Sequence, residues 1–286
     1  MTPLFPAHDP SDPARTALFL SGAGSNAEAI LRYEKSRPCA FRTELLVTDA
    51  PESSRAEVLA READLPLFGL DLKKFYREHG EESIRLDTEH RRFVRDLWSE
   101  EIYRVLLYRK IELVLLAGFV PLTNLAEKLP ALNVHPGDLT QTSDDGRRIL
   151  AGLHYFPVEK AILEGHASLR SSVIRVQPYR DRADIDAGPV IGISEPLPVD
   201  TENFSLDELR AIAAARTPGK SDDALRALAA RHIERLKVRG DHVVFPQAAD
   251  DFARGAFAIE RDRLAYFGTT VAVVEYTRNG AVPHAE

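Results

Sequence analysis

The chain has 286 residues, 44% of them hydrophobic and 28% charged, the balance of an ordinary globular protein that can bury a substantial core in one large domain or two small ones. Its 44 acidic residues against 37 basic ones leave a formal net charge of −7, which argues against a nucleic-acid backbone as partner. With a single cysteine, Cys39, the chain has neither an intrachain disulfide framework nor a cysteine-built zinc site.

Residues 1–15 are proline-rich and polar, carry no apolar core of a signal peptide, and read as a loosely attached arm. No apolar run nears the roughly 20 residues of a membrane-spanning helix. The expected compartment is therefore the cytoplasm, with no membrane partner. Thr16 to Ser21 reads as a buried strand running into the turn Gly22-Ala23-Gly24-Ser25-Asn26, and a helix follows over Ala27 to Tyr33. A second strand, Thr43 to Thr48, precedes a helix over Ser54 to Ala63, and Leu67 to Leu70 reads as a third, short strand. Asp87 to Arg109 predicts a long amphipathic helix in which the spacing of Trp98 suits packing rather than cofactor stacking, and Leu113 to Ala117 a strand buried on both faces.

This alternation of short apolar strands with helices predicts an α/β fold with a mostly parallel central sheet flanked by helices. Ligands bind such sheets at the carboxyl ends of the strands. The glycine turn, Gly118-Phe119 and the pair Asn133/His135 all fall there. Further on, Gly137 to Arg148 is a polar run without periodicity, expected as a lid or a disordered tip. His154 to Leu163 predicts a helix, and Ser171 to Val176 and Val190 to Pro196 predict strands. Ser205 and Glu208 form a capping-box pattern opening an Ala-rich helix through Arg216. Thr217-Pro218-Gly219 breaks that helix, a second runs from Ser221 to Val238, and the tail from Leu264 to Tyr276 alternates as a hairpin around Gly268.

Two constellations carry chemistry. The glycine turn supplies free N–H groups at a helix start, where a phosphate can be wrapped closely, and Ser25 and Asn26 add side-chain donors. It is neither a Walker loop nor a complete dinucleotide fingerprint, and a tight strand-to-helix turn that binds nothing stands as the alternative. The second constellation is Asn133, His135 and Asp186. Singly, each has a bland reading: a turn cap, a core histidine and a turn residue before Gly188. Together, they supply a neutral N–H donor and a charged donor for an oxyanion, and a carboxylate that attracts an imidazolium. Cys39 has no neighbour in sequence that would activate it. Arg147-Arg148 could draw an anion, although a solvated loop is the simpler expectation.

Ser21-Gly-Ala-Gly-Ser-Asn26, Leu116-Ala-Gly-Phe119, Asn133-Val-His-Pro136, Gly152-Leu-His154 and Asp184-Ile-Asp-Ala-Gly-Pro-Val-Ile191 occur in the order found in folate-dependent formyltransferases. From about Thr16 to Val199 the chain resembles that family, closest to the phosphoribosylglycinamide branch, with a weaker return at Asp241 to Pro246. The resemblance implies a Rossmann-like formyltransferase fold and transfer of formyl from the co-substrate 10-formyltetrahydrofolate to the amine of glycinamide ribonucleotide, without a metal. It implies catalytic Asn133, His135 and Asp186, phosphate binding by Gly24, Ser25 and Asn26, and a ribose contact at Asp241. Phe119, Val120, Pro121, Ala183 and Asp184 fall where folate would be held, and Arg91 or Arg92 where the family places an arginine for the phosphate; His154 either approaches the folate or active-site edge or, as the residue opening a helix, is structural.

Three departures accompany it. Val120-Pro121 replaces the family's usual Met-Arg, Gly137 to Arg148 is an insertion, and Ser205 to Arg239 is expanded. The resulting division is an arm at 1–15, a core at 16–200 and an extension at 201–286 with helices and a terminal hairpin packing on the core. Expected partners are small molecules and no nucleic acid, with a homodimer left open. The alternatives are another phosphorylated amine as acceptor, hydrolysis of formyltetrahydrofolate, or a non-catalytic phosphate-binding homologue.

Overall fold

The structure, a computed structural model, describes residues 2–152, 155–179, 184, 186–217 and 222–285. In chain order the first half contains β1 (Thr2–Pro3), β2 (Ala14–Phe19), α1 (Ser25–Ser36), β3 (Phe41–Thr48), α2 (Ala56–Ala63) and β4 (Leu67–Gly69). It continues with α3 (Leu72–Glu78), α4 (Glu89–Tyr108), β5 (Leu113–Leu116) and β6 (Ala131–His135). The second half holds α5 (Phe156–Glu164), β7 (Ser168–Leu169), β8 (Ser172–Arg175), β9 (Val190–Ser194) and β10 (Leu197–Pro198). After these come α6 (Leu206–Ala214), α7 (Ala224–Leu236) and α8 (His242–Ala253). Five strands close the chain: β11 (Phe257–Glu260), β12 (Arg263–Tyr266), β13 (Thr269–Thr270), β14 (Val273–Thr277) and β15 (Gly280–His284).

Among the described residues the main sheet has nine strands in the order β15-β14-β9-β8-β6-β5-β2-β3-β4. The run from β4 to β6 is parallel, β8 is antiparallel to both neighbours, β14 is parallel to β9, and β15 returns antiparallel. β2 and β5 are apolar throughout their cores because both faces are covered. Leu18, Leu20, Leu113 and Leu115 pack in one layer with Ile30, Leu59 and Phe245 from α1, α2 and α8. Ala17, Phe19, Val114 and Leu116 face the opposite layer, with Tyr76 from α3 and Trp98 and Ile102 from α4. Trp98 is fully buried and donates its indole N–H to the Leu70 carbonyl at 3.1 Å, so it packs as its spacing predicted.

Several expectations are revised. The arm is not loose: Thr2 pairs with Ile259, and Phe5, 4% exposed, stacks on Phe252 at 5.2 Å between ring centres. The tail hairpin around Gly268 extends only through Thr270, because Val273 to Thr277 then leaves for the main sheet and pairs with β9 and β15. The Gly137 to Arg148 run is an ordered hairpin rather than a bare tip, with Thr142 bridged to Arg148 and the Ile149 N–H donating to the Gln141 carbonyl at 3.0 Å. The capping box forms as read, Ser205 with Glu208. Pro218, Gly219 and Ser221, expected to break and restart the helix, lie outside the described residues.

A third apolar cluster joins α5, α6 and α7 through Val158, Ile162, Leu209 and Leu228, and it also takes in Leu150. An ion network lies beside it. Glu159 accepts from Arg216 at 2.7 and 2.9 Å and from Arg226 at 2.6 Å, and Arg216 also holds Asp223, which caps α7. Burial pushes the Glu159 carboxyl up, but the hydrogen bonds and charges of the two arginines outweigh it, and the carboxyl lies below its usual 4.5. The Arg216 guanidinium lowers Asp223 to about 2.

A carboxyl depressed on folding adds stability that is complete above its unfolded value and is lost as pH falls through its folded value. Glu159→Gln should therefore cost about 2 kcal/mol at neutral pH, less than a fully buried pair because the arginines keep some water contact. The gap to wild type in urea midpoint should shrink as pH falls below 4.5. A gap that is constant with pH would rule out this role for the network.

Candidate active site

β2 ends at Phe19, and its continuation, Leu20 and Ser21, enters the glycine turn at the point where the sheet order reverses between β2 and β5, the place where open α/β sheets leave a crevice. The Ser21 N–H donates to the Gly118 carbonyl at 3.2 Å, and the Ser21 hydroxyl accepts from the Val120 N–H at 2.9 Å. These two bonds join the end of β2 to the segment after β5, and Asp49 follows β3 beside them. Burial raises the Asp49 carboxyl, and its Oδ1 has no hydrogen-bond partner among the described residues.

Gly24 adopts φ 70°, and a Cβ there would fall 2.6 Å from a Leu59 methyl and 2.8 Å from a Leu20 methyl, so glycine is required on both counts. It is the N-cap of α1, whose first N–H groups have no intrahelical acceptor. Residues 21 to 26, Ala117, Gly118, Val120 and Lys237 line a cleft of 230 Å³. Lys237, the one charged side chain in that lining among the described residues, is held at 2.5 Å by Glu234. Sequence reading passed over Lys237, because it falls at the end of a helix pattern far along the chain.

Asn26, which lines the cleft, has its amide engaged with a distant residue. Its Nδ2 donates to Asp241 Oδ2 at 3.1 Å, and its Oδ1 is buried without a partner among the described residues. Asp241 closes a π-turn, Lys237–Asp241, that leads into α8. The widened turn precedes Pro246, which has no N–H to offer the first carbonyl of that helix. Ser171 donates to Asp241 Oδ1 at 2.5 Å, so both carboxylate oxygens are engaged. Burial raises the Asp241 carboxyl, against the hydrogen bonds from Ser171 and Asn26.

Asn133 and His135 come from the end of β6, where alternation sends both side chains to the same face. His135 is 4% exposed. Its Nδ1 lies 3.4 Å from Asp186 Oδ2, and its Nε2 donates to the Leu150 carbonyl at 2.8 Å. Asp186 has φ 57° and also accepts the Gly152 N–H at 3.3 Å. Asn133 is half-buried, and its amide makes no hydrogen bond among the described residues. A chain of contacts links the glycine turn to the imidazole strand: Asn26 bonds to Asp241, Asp241 to Ser171, and the next residue, Ser172, pairs with His135 in the sheet.

The folate positions divide. Val120 is 51% exposed and lines the cleft, and Pro121 is half-buried beside it. Phe119 turns into the core, edge-on to Phe19 at 5.1 Å and stacked on Trp98 at 6.1 Å, so only its main chain faces that side. Asp184 accepts the Ala187 N–H through its carbonyl at 3.2 Å. Ala183 and His154 lie outside the described residues.

Neither candidate arginine on α4 lines the cleft. Arg91 is paired with Glu81 and Asp87, and Arg92 donates to the Leu86 carbonyl. Arg147 is exposed and pairs with Asp145, whereas Arg148 turns inward. Burial pushes the Cys39 thiol up to about 12, as suits an inert core residue. Among the described residues no helix is long and apolar enough to cross a membrane, and no cluster of His, Cys, Asp or Glu is placed to hold a metal ion.

No protein-family model and no curated protein matches this sequence. Solved structures do. Glycinamide ribonucleotide transformylase 1 from Symbiobacterium toebii superposes with a TM-score of 0.59 at 21% identity, covering 89% of this chain and 94% of that one. Phosphoribosylglycinamide formyltransferase from Anaplasma phagocytophilum gives 0.59 at 21% identity over 92% and 99%. A formyltetrahydrofolate deformylase from Pseudomonas syringae gives 0.61 at 13% identity over 90% of this chain and 67% of its own. The chain has the formyltransferase fold that these structures share.

Proposed function

We propose that this protein transfers a formyl group from 10-formyltetrahydrofolate to the amine of glycinamide ribonucleotide. The observation that carries this reading is the buried pair His135–Asp186, set with Asn133 at the same sheet edge as a glycine turn whose cleft is lined by one lysine. The turn's free N–H groups and Lys237 take the acceptor's phosphate. Asp241 takes the ribose, with a hydroxyl displacing the Asn26 amide from its carboxylate. Main chain at Phe119, with Val120, Pro121 and Asp184, borders the folate.

In the reaction the acceptor amine attacks the formyl carbon, and the formyl oxygen becomes an oxyanion. Asn133 and protonated His135 donate to that oxygen where its charge develops. The formyl oxygen takes the place that the Leu150 carbonyl occupies on Nε2. Asp186 orients the ring through Nδ1. Collapse breaks the bond from the formyl carbon to the folate nitrogen, His135 protonates that nitrogen, and the attacking amine gives up a proton in return. The products are the formylated amine and tetrahydrofolate, and no metal enters.

The test is release of tetrahydrofolate from 10-formyltetrahydrofolate, with and without glycinamide ribonucleotide. Release only with the nucleotide is the expected result. Release without it would replace this reading by hydrolysis. No release under either condition would overturn both and point to another phosphorylated amine or to a phosphate-binding protein without catalysis.

A further inference from the structure

The inserted hairpin ends in two neighbouring arginines with opposite fates. Arg147 is 86% exposed on its side chain and holds only Asp145. Arg148 is half-buried and spreads its guanidinium over two carbonyl oxygens of another segment, Nη1 donating to Asp186 and Nη2 to Gly188 at 2.6 Å. Burial disfavours its charge, and the Asp186 carboxylate favours it.

Asp186 needs holding. Its φ of 57° is a left-handed conformation that strains a non-glycine backbone. That backbone geometry aims the carboxylate at His135 Nδ1. Two residues beyond Arg148, the Leu150 side chain is buried in the α5–α7 cluster while its carbonyl takes His135 Nε2. The Gly152 N–H, in the same strap, reaches the Asp186 carboxylate. The imidazole is thus gripped through both nitrogens by two segments, and Arg148 is the side chain that fastens one to the other.

We propose that Arg148 is a positioning residue: its fork on the Asp186 and Gly188 carbonyls fixes the turn that aims Asp186 at His135, and thereby couples the inserted hairpin to the reacting pair. This rests on the reading that His135 and Asp186 carry the reaction. A fork meeting two carbonyls needs the planar guanidinium, which glutamine and lysine do not reproduce.

The experiment compares the full chain with Arg148→Gln, Arg148→Lys, Arg148→Ala and, as a control on the same hairpin, Arg147→Gln. Steady-state formyl transfer is measured below the melting temperature of each protein. In parallel, NMR follows solvent exchange of the His135 ring N–H that is bonded to Leu150, a signal assigned by its loss in His135→Ala.

Arg148→Gln should lower kcat at least about tenfold with KM within about twofold, and should speed the ring-proton exchange about tenfold. Arg148→Lys should fall between it and wild type, free guanidinium should restore part of the kcat of Arg148→Ala, and Arg147→Gln should match wild type. A kcat within twofold of wild type in Arg148→Gln, a loss confined to KM, or unchanged exchange would overturn the proposal. If Arg148→Gln does not fold, Arg148→Lys decides by the same readouts. If wild type transfers no formyl group, the proposed activity fails, and the exchange measurement alone decides the positioning role.

Discussion

Replacing His135 by alanine is expected to lower kcat about 10³-fold while leaving binding of the phosphorylated acceptor within about twofold. The size follows from the two duties assigned to one ring, donating to the oxyanion and protonating the leaving nitrogen. The cradle proposed for the phosphate is built from other elements, the turn after β2 and the π-turn before α8, so ligand affinity should survive. The substitution also leaves the Leu150 carbonyl and the Asp186 carboxylate without the imidazole, at a cost of about 1–3 kcal/mol in stability. Binding by calorimetry and single-turnover kinetics separate the two effects. Full turnover in His135→Ala would remove His135 from the mechanism.

Gly188→Ala is expected to give the largest loss of stability of any single methyl added near the site. A Cβ at Gly188 would sit 1.8 Å from the Arg175 carbonyl oxygen and 2.9 Å from its carbon, and both are backbone atoms that cannot rotate aside. Relief requires β8 or the Asp186 turn to shift, with an expected cost above about 3 kcal/mol. The same shift would take the Gly188 carbonyl off Arg148 and turn Asp186 away from His135, so residual folded protein should also lose activity. Gly146→Ala, in the hairpin tip at φ 78° and with open space around it, is the comparison: it carries only the backbone strain. Equal urea midpoints for the two variants would contradict the close approach at Gly188.

Elements were legible where burial leaves a repeating mark. β2, β3 and β5 read as strands because apolar runs covered on both faces admit little else, and the capping box at Ser205 is a local chemical pattern that stands on its own. α3 was missed. It spans only Leu72–Glu78, with Leu72 and Tyr76 as its buried residues, and its start is marked only by Asp71 accepting from the Lys74 N–H. The tail was half legible: alternation shows that residues 264–276 are extended, but not that β14 pairs with β9 rather than folding back on β12. The arm looked loose because prolines and polar residues dominate it, while the single ring that anchors it, Phe5, leaves no periodic trace.

At the site, residue types and their order along the chain were readable, and with them the class of chemistry proposed above. Asn133 and His135, two apart on one strand, had to share a face, and a glycine turn after a buried strand had to offer N–H groups at a helix start. The chain by itself determined that much, because strand period, burial and turn chemistry are local properties.

Contacts between distant residues were decided only by the fold. Asn26 meets Asp241 across 215 residues, and Arg148 meets Asp186 across 38. That engaged the Asn26 amide with Asp241, turned the Phe119 ring into the core, brought Lys237 to the glycine turn and set an arginine of a polar insertion on the Asp186 turn. Such contacts depend on which helices and strands pack together. Packing satisfies the burial of the whole chain at once, so no window of sequence contains it.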